Sequence, residues 1–131
     1  MGLARVLLAD DHAAFVLMLR AELAKDFEIV GAVAAGDQAI EAVMRLDPDV
    51  LVIDMTMPVL DGLQATAQLR AAKCKTKIVF LTIHEQTDYI VAAFGAGANG
   101  YVTKRHLGSD LVPAIRKVLE GRTFLSPSLH I

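Results

Sequence analysis

Three aspartates, a threonine and a lysine stand at or just beyond the ends of apolar runs, and these are the residue types that could do chemistry together. Asp10 and Asp11 follow Arg5-Val6-Leu7-Leu8-Ala9, and Asp54 follows Val50-Leu51-Val52-Ile53. Thr82 follows Lys77-Ile78-Val79-Phe80-Leu81, and Lys104 comes shortly after Gly100-Tyr101-Val102. Three carboxylates in one place repel one another and raise each other's pKa. A hard divalent cation resolves that conflict, and oxygen donors with room for water favour Mg²⁺. Asp11 and Asp54 are expected as direct or water-bridged ligands, Asp10 as a ligand through water, and the backbone carbonyl of Thr56 as a further oxygen. Such a centre suits phosphoryl transfer, where position and electrostatics carry most of the catalysis. The carboxylate of Asp54 would attack phosphorus. Lys104 would offer a compact positive charge to one phosphoryl oxygen, and Thr82 a hydroxyl to another.

For these residues to meet, the apolar runs must be neighbouring strands. None of the three strongest runs alternates with polar residues, so both faces of each are expected to be covered, as in parallel strands between helices. Glu28-Ile29-Val30-Gly31-Ala32-Val33 and Gly100-Tyr101-Val102 are weaker strand candidates. Helical spacing marks Ala14 to Lys25, Gln38 to Leu46, Gly62 to Ala72 and Glu85 to Phe94. A last helix, capped by Ser109 or Asp110, carries Leu111, Ile115 and Val118 and stops at Gly121. Five strand-helix alternations predict an α/β fold with a five-stranded, doubly wound parallel sheet of flavodoxin-like order 2-1-3-4-5 and helices on both faces. Ligands in such sheets bind beyond the carboxyl ends of the strands, where the order reverses. All five chemical residues fall at that rim.

The bulk numbers narrow the class. The chain has 131 residues, suited to one domain. Hydrophobic residues make up 54% and charged ones 21%, which excludes a disordered tail. The formal charge of −2 provides no footprint for nucleic acid or an anionic membrane. A single cysteine, Cys74, forms no internal disulfide, and no apolar run approaches a membrane span or a signal peptide. A cytoplasmic location is the expectation. Residues 1–121 are read as the domain, and 122–131, with Ser126-Pro127-Ser128, as the start of a linker or a C-terminal tail.

Asp10-Asp11, then Asp54 with Met57-Pro58 and Asp61-Gly62 after it, then Thr82 and Lys104 together resemble the receiver domain of two-component response regulators. The likeness runs from about residue 4 to 121. Gly97 to Lys104 and the tail from Glu120 to Pro127 are further similar to the NarL/FixJ group. Taken alone, Asp11 is a good helix cap, Thr82 an ordinary strand end and Lys104 a common surface residue; their joint placement argues for a site. The resemblance implies a phosphorylation-activated signalling switch that accepts a phosphoryl group from a sensor histidine kinase on Asp54. It implies that the chain catalyses only its own phosphorylation and slow dephosphorylation, so it is not an enzyme in the turnover sense. Thr82 would move toward the phosphoryl group and the ring of Tyr101 would turn inward behind it. Thr56 and His84 resemble the pair that tunes dephosphorylation.

Members of that group usually carry a helix-turn-helix output domain for transcription regulation, and dimerise in some cases on activation. The ten residues after Gly121 are too few for such a domain, so a truncated chain or a stand-alone receiver is expected, with no direct nucleic-acid binding. Two departures from the common pattern stand out: Arg105 follows Lys104 where many receivers have proline, and Ile83 is bulkier than the small residue many relatives use. The bulk of Ile83 bears on the rate of phosphorylation. Two rival functions remain open. One is a pseudo-receiver acting as an interaction module without phosphoryl chemistry. The other is a haloacid-dehalogenase-like phosphatase, disfavoured because Thr56 stands where that family repeats an acid.

Overall fold

The computed structural model describes residues 2–131. In chain order the elements are β1 (Arg5–Ala9), α1 (Ala13–Leu23), β2 (Glu28–Val33), α2 (Gly36–Leu46), β3 (Val50–Ile53), α3 (Gly62–Ala71), β4 (Lys77–Thr82), α4 (Thr87–Ala96), β5 (Gly100–Thr103), α5 (Leu107–Leu119) and β6 (Phe124–Leu125). All strands pair in parallel in the order β2-β1-β3-β4-β5-β6. The expected order 2-1-3-4-5 is present, extended by one short strand.

Burial on both faces explains why the strands read as unbroken apolar runs. Leu7, Ala9, Leu51, Ile53, Ile78, Phe80 and Tyr101 point to one face, where Ala39 and Val43 of α2, Ala65 and Leu69 of α3, and Ile90 and Ala93 of α4 cover them. Val6, Leu8, Val50, Val52, Val79, Leu81 and Val102 point to the other, against Leu19 and Leu23 of α1 and Leu111, Ile115 and Val118 of α5. The strand period of two is therefore real but invisible in hydropathy, because both sets are apolar. Each fully buried large aliphatic side chain contributes about 1.5–3 kcal/mol.

Several boundaries differ from expectation for local reasons. α1 starts at Ala13 rather than Ala14, and α2 at Gly36 rather than Gln38. α4 begins at Thr87, because Glu85 and Gln86 belong to the loop after β4, and it runs through Gly95 to stop at Gly97, whose φ of 113° suits glycine. α5 is not capped by Ser109 or Asp110. A 3₁₀ turn over Lys104–His106 leads directly into Leu107, and the Ser109 hydroxyl donates back to the His106 carbonyl. α3 shows a full capping box, with the Asp61 carboxylate accepting from Gln64 N and the Gln64 side chain accepting from Asp61 N.

The C-terminal segment, read as the start of a linker or a C-terminal tail, is folded onto the domain. Phe124 and Leu125 lie beside Gly100 and Tyr101 of β5 and cover what would be an open sheet edge. Ser126 is buried; its amide donates to the Tyr101 carbonyl and its hydroxyl accepts from Thr103 N. Leu129 joins the core on the α4 side. Replacing Leu129 with alanine should therefore lower stability by about 2 kcal/mol in urea unfolding, as for other buried leucines, whereas a free linker would show no change.

Candidate functional site

The two central aspartates are placed by the sheet itself. Asp10 N donates to the Val33 carbonyl and Asp54 N to the Ala9 carbonyl, each continuing a ladder of parallel strands one step past its end. Both side chains are thereby held where β1 and β3 open, at the point of order reversal. The loop after Asp54 closes tightly on it. A Cβ on Gly62 would lie 2.3 Å from the Asp54 carbonyl oxygen, so only glycine lets the start of α3 approach so closely. In that same loop Val59 takes a left-handed φ of 69°, a strained conformation for a β-branched residue.

Asp10 and Asp54 are 5% and 6% exposed, so their charges must be answered locally. Lys104, arriving from the end of β5, answers both. Its Nζ donates to Asp10 Oδ2 at 2.8 Å and to Asp54 Oδ2 at 3.1 Å. The same ammonium lies 4.3 Å from the ring centroid of Phe15 on α1, a cation–π contact. The remaining oxygens are also used: Asp54 Oδ1 accepts from Met55 N at 2.7 Å, and Asp10 Oδ1 from His12 N at 2.9 Å. Asp11 is exposed, with an oxygen 3.3 Å from His12 Nδ1.

The donor set suits a hard divalent cation. One potential ligand atom from each of Asp10, Asp11, His12 and Asp54 falls within 4.8 Å of the others, three of them carboxylate oxygens. His12 was not anticipated as part of this group, although it directly follows Asp10-Asp11. Phe15 was likewise missed, being one apolar residue among many on α1.

Thr82 and Tyr101 converge on the backbone of one residue, His84. The buried hydroxyl of Thr82 accepts from His84 N at 3.3 Å, and the Tyr101 hydroxyl donates to the His84 carbonyl at 2.8 Å. The Tyr101 ring already lies inside, stacked against Phe80 at 6.1 Å between centroids. The Tyr101 ring, expected to turn inward on activation, is fully buried in this structure. Burial pushes the Tyr101 phenol well above its ordinary range, with the charge of Asp54 acting in the same direction. Thr56 and His84, read as a tuning pair, do meet: Thr56 Oγ1 and His84 Nε2 are 3.1 Å apart. A cleft of about 660 Å³ opens here onto Asp54 and Lys104, walled by Phe15, Ile83 and His84. Ile83 is largely exposed and stands beside this opening.

Burial works against the charge on Lys104, but the hydrogen bond it donates to Asp10 and the charge of Asp54 outweigh it and raise its pKa above the ordinary 10.5. The sign follows directly. A raised folded-state pKa contributes stability that is complete below 10.5 and is lost only as pH climbs through the folded value. The stability difference between the native chain and Lys104→Met should therefore be flat from pH 7 to about 10 and shrink above it, measured by urea unfolding across pH.

Residues 6–116 match the family described as response regulator receiver domain. The chain is 34% identical over 130 residues to the oxygen regulatory protein NreC of Staphylococcus carnosus, covering 95% of this chain and 59% of that protein. It is 33% identical over 132 residues to the nitrate/nitrite response regulator protein NarL of Escherichia coli, covering 96% of this chain and 59% of that protein. A crystal structure of a LuxR-family two-component response regulator from an Aurantimonas species superposes with a TM-score of 0.92 at 32% identity, over 97% of this chain and 92% of that one. The chain thus spans about three-fifths of the length of these curated relatives. With the acidic notch, the apposed lysine and this match along most of its length, the chain belongs to the receiver-domain family of two-component response regulators.

Proposed function

We propose that this receiver is a phosphorylation-activated switch that takes a phosphoryl group on Asp54 from a sensor histidine kinase and passes the change to a transcriptional output domain. The observation that carries the reading is the double pairing of Lys104 with Asp10 and Asp54. A lysine needed only for charge balance would serve with one carboxylate. Here it lies between the nucleophile and the acidic cluster, where a phosphoryl oxygen can take over its hydrogen bond. The Asp54 oxygen forms the new bond to phosphorus as the bond to the donor's imidazole nitrogen breaks, and the imidazole leaves with a proton. Asp10, Asp11 and Asp54, with the Thr56 carbonyl, would hold Mg²⁺, which supplies neutralisation of the phosphoryl oxygens. The chain acts on itself and not as a turnover enzyme. Its setting is the cytoplasm, where the kinase delivers the group.

The response would run through His84. Thr82 grips the amide of that residue and Tyr101 its carbonyl. A Thr82 hydroxyl drawn toward the phosphoryl group gives up the His84 amide, and His84 is then held at its carbonyl by Tyr101 alone. The loop leading into α4 is so freed to move, and α4 itself buries only Ile90 and Ala93. Changing a mostly-off population to a mostly-on one needs about 5.5 kcal/mol of differential stabilisation. Two or three charge-assisted hydrogen bonds at about 1.5–3 kcal/mol each supply it. Thr56 and His84, joined across the cleft, would set the lifetime of the modified state. Activation is further expected to favour a homodimer.

Acetyl phosphate with Mg²⁺ should add one phosphoryl mass to the chain, and Asp54→Asn should abolish it, as read by intact-mass spectrometry. An unmodified native chain would sink the reading in favour of an interaction module without phosphoryl chemistry. Lys104→Ala should still fold, yet modification of it should no longer shift the amide resonances of α4. Unaltered shifts relative to the modified native chain would remove Lys104 from the relay.

A further inference from the structure

Lys104 carries the site's positive charge, and the residues on either side of it are tied to one carboxylate. Thr103, buried at the end of β5, donates its hydroxyl to Glu85 Oε2. Arg105 forks onto the same group, with Nε donating to Oε2 and Nη2 to Oε1, both at 3.0 Å. Arg105 N also donates to Thr103 Oγ1 at 3.3 Å, closing a ring of contacts around the Lys104 backbone. Glu85 itself immediately follows His84, the residue whose amide Thr82 holds and whose carbonyl Tyr101 holds. A bidentate guanidinium fork fixes direction as well as distance, which a single lysine contact would not.

We propose that Glu85 is a positioning residue, held by Arg105 and Thr103, that sets where the Lys104 ammonium sits against Asp54. The proposal rests on the reading of Asp54 as phosphoacceptor. Glu85 touches neither Asp54 nor its donor; it acts by locking the two residues that bracket Lys104. The lysine reaches Asp10 and Asp54 along the same rim from the carboxyl end of β5, past the end of β4, so a small swing of its backbone displaces the ammonium from both oxygens. Because Glu85 rides on the loop after β4, the same lock links movement of that loop to the placement of Lys104. The pair Glu85–Arg105 stands where the sequence departs from the common proline after the lysine, and it restrains that turn by side chains instead.

The test compares the native 131-residue chain with Glu85→Ala, Glu85→Gln and Arg105→Ala. The first readout needs no phosphorylation: the side-chain ammonium resonance of Lys104 in ¹⁵N-lysine-labelled protein, assigned with Lys104→Arg. The Lys104 signal should move toward that of free lysine in Glu85→Ala and Arg105→Ala. In Glu85→Gln, which keeps an acceptor for Thr103 and Arg105, it should stay near the native position. The second readout is phosphoryl uptake at fixed acetyl phosphate and Mg²⁺, which should fall roughly 10- to 100-fold in Glu85→Ala, as expected for a misplaced catalytic group, and recover largely in Glu85→Gln. Urea midpoints should change little, because Glu85 and Arg105 lie at the surface. An unmoved Lys104 resonance in both alanine variants overturns the proposal whatever the uptake rate. If that resonance moves while even the native chain accepts no phosphoryl group, the positioning role is supported and the phosphoacceptor reading is what fails.

Discussion

The structure depends on one charge arrangement: a single ammonium answering two buried carboxylates that the sheet forces together. Parallel pairing of β1 with β2 and with β3 leaves no alternative place for Asp10 and Asp54, since the Asp10 amide continues the first ladder and the Asp54 amide the second. Carboxylates so nearly excluded from water would each cost several kcal/mol without a partner. Lys104 offsets part of that cost, and in doing so it ties the end of β5 to the ends of β1 and β3. Stability and chemistry therefore share the same atoms. Whatever takes the ammonium away from Asp54, or adds charge there, must be felt at the end of β5.

That end is where the responsive parts gather. Tyr101 and Thr103 lie on β5, and the backbone of both is engaged by Ser126 from the C-terminal segment. On the other side, the Tyr101 hydroxyl reaches across to the loop before α4. The Thr87 hydroxyl, at the start of α4, donates to the His130 carbonyl. The strands, the loop after β4 and the tail thus form one connected edge, with the Lys104 pairing at one end and the C-terminal segment at the other.

Much of this was legible in sequence because strand ends are conspicuous. An apolar run that stops at Asp10 or Asp54 announces both the strand and the residue at its rim, so fold order and acidic notch followed together. Lys104 and Thr82 were found by the same logic. Other features were hidden for identifiable reasons. Helix starts shifted because α1 and α5 begin without side-chain caps. The tail looked like a linker because Ser-Pro-Ser is polar, yet Phe124, Leu125 and Leu129 were the apolar residues that could have marked a sixth strand and its anchor. Glu85 and Arg105 lie 20 residues apart in unlike surroundings, and nothing local pairs them. The inward position of Tyr101 depends on space beside Phe80, which only packing reveals.

A crystal structure of the chain grown with Mg²⁺ and beryllium fluoride tests whether Asp54 is the phosphoacceptor. Expected is a beryllium trifluoride group whose beryllium is bonded to an Asp54 oxygen, with Lys104 Nζ and Thr82 Oγ1 within hydrogen-bond distance of its fluorines and the His84 amide released from Thr82. Asp54 free of the group, with Lys104 still bridging Asp10 and Asp54 as before, would contradict that role.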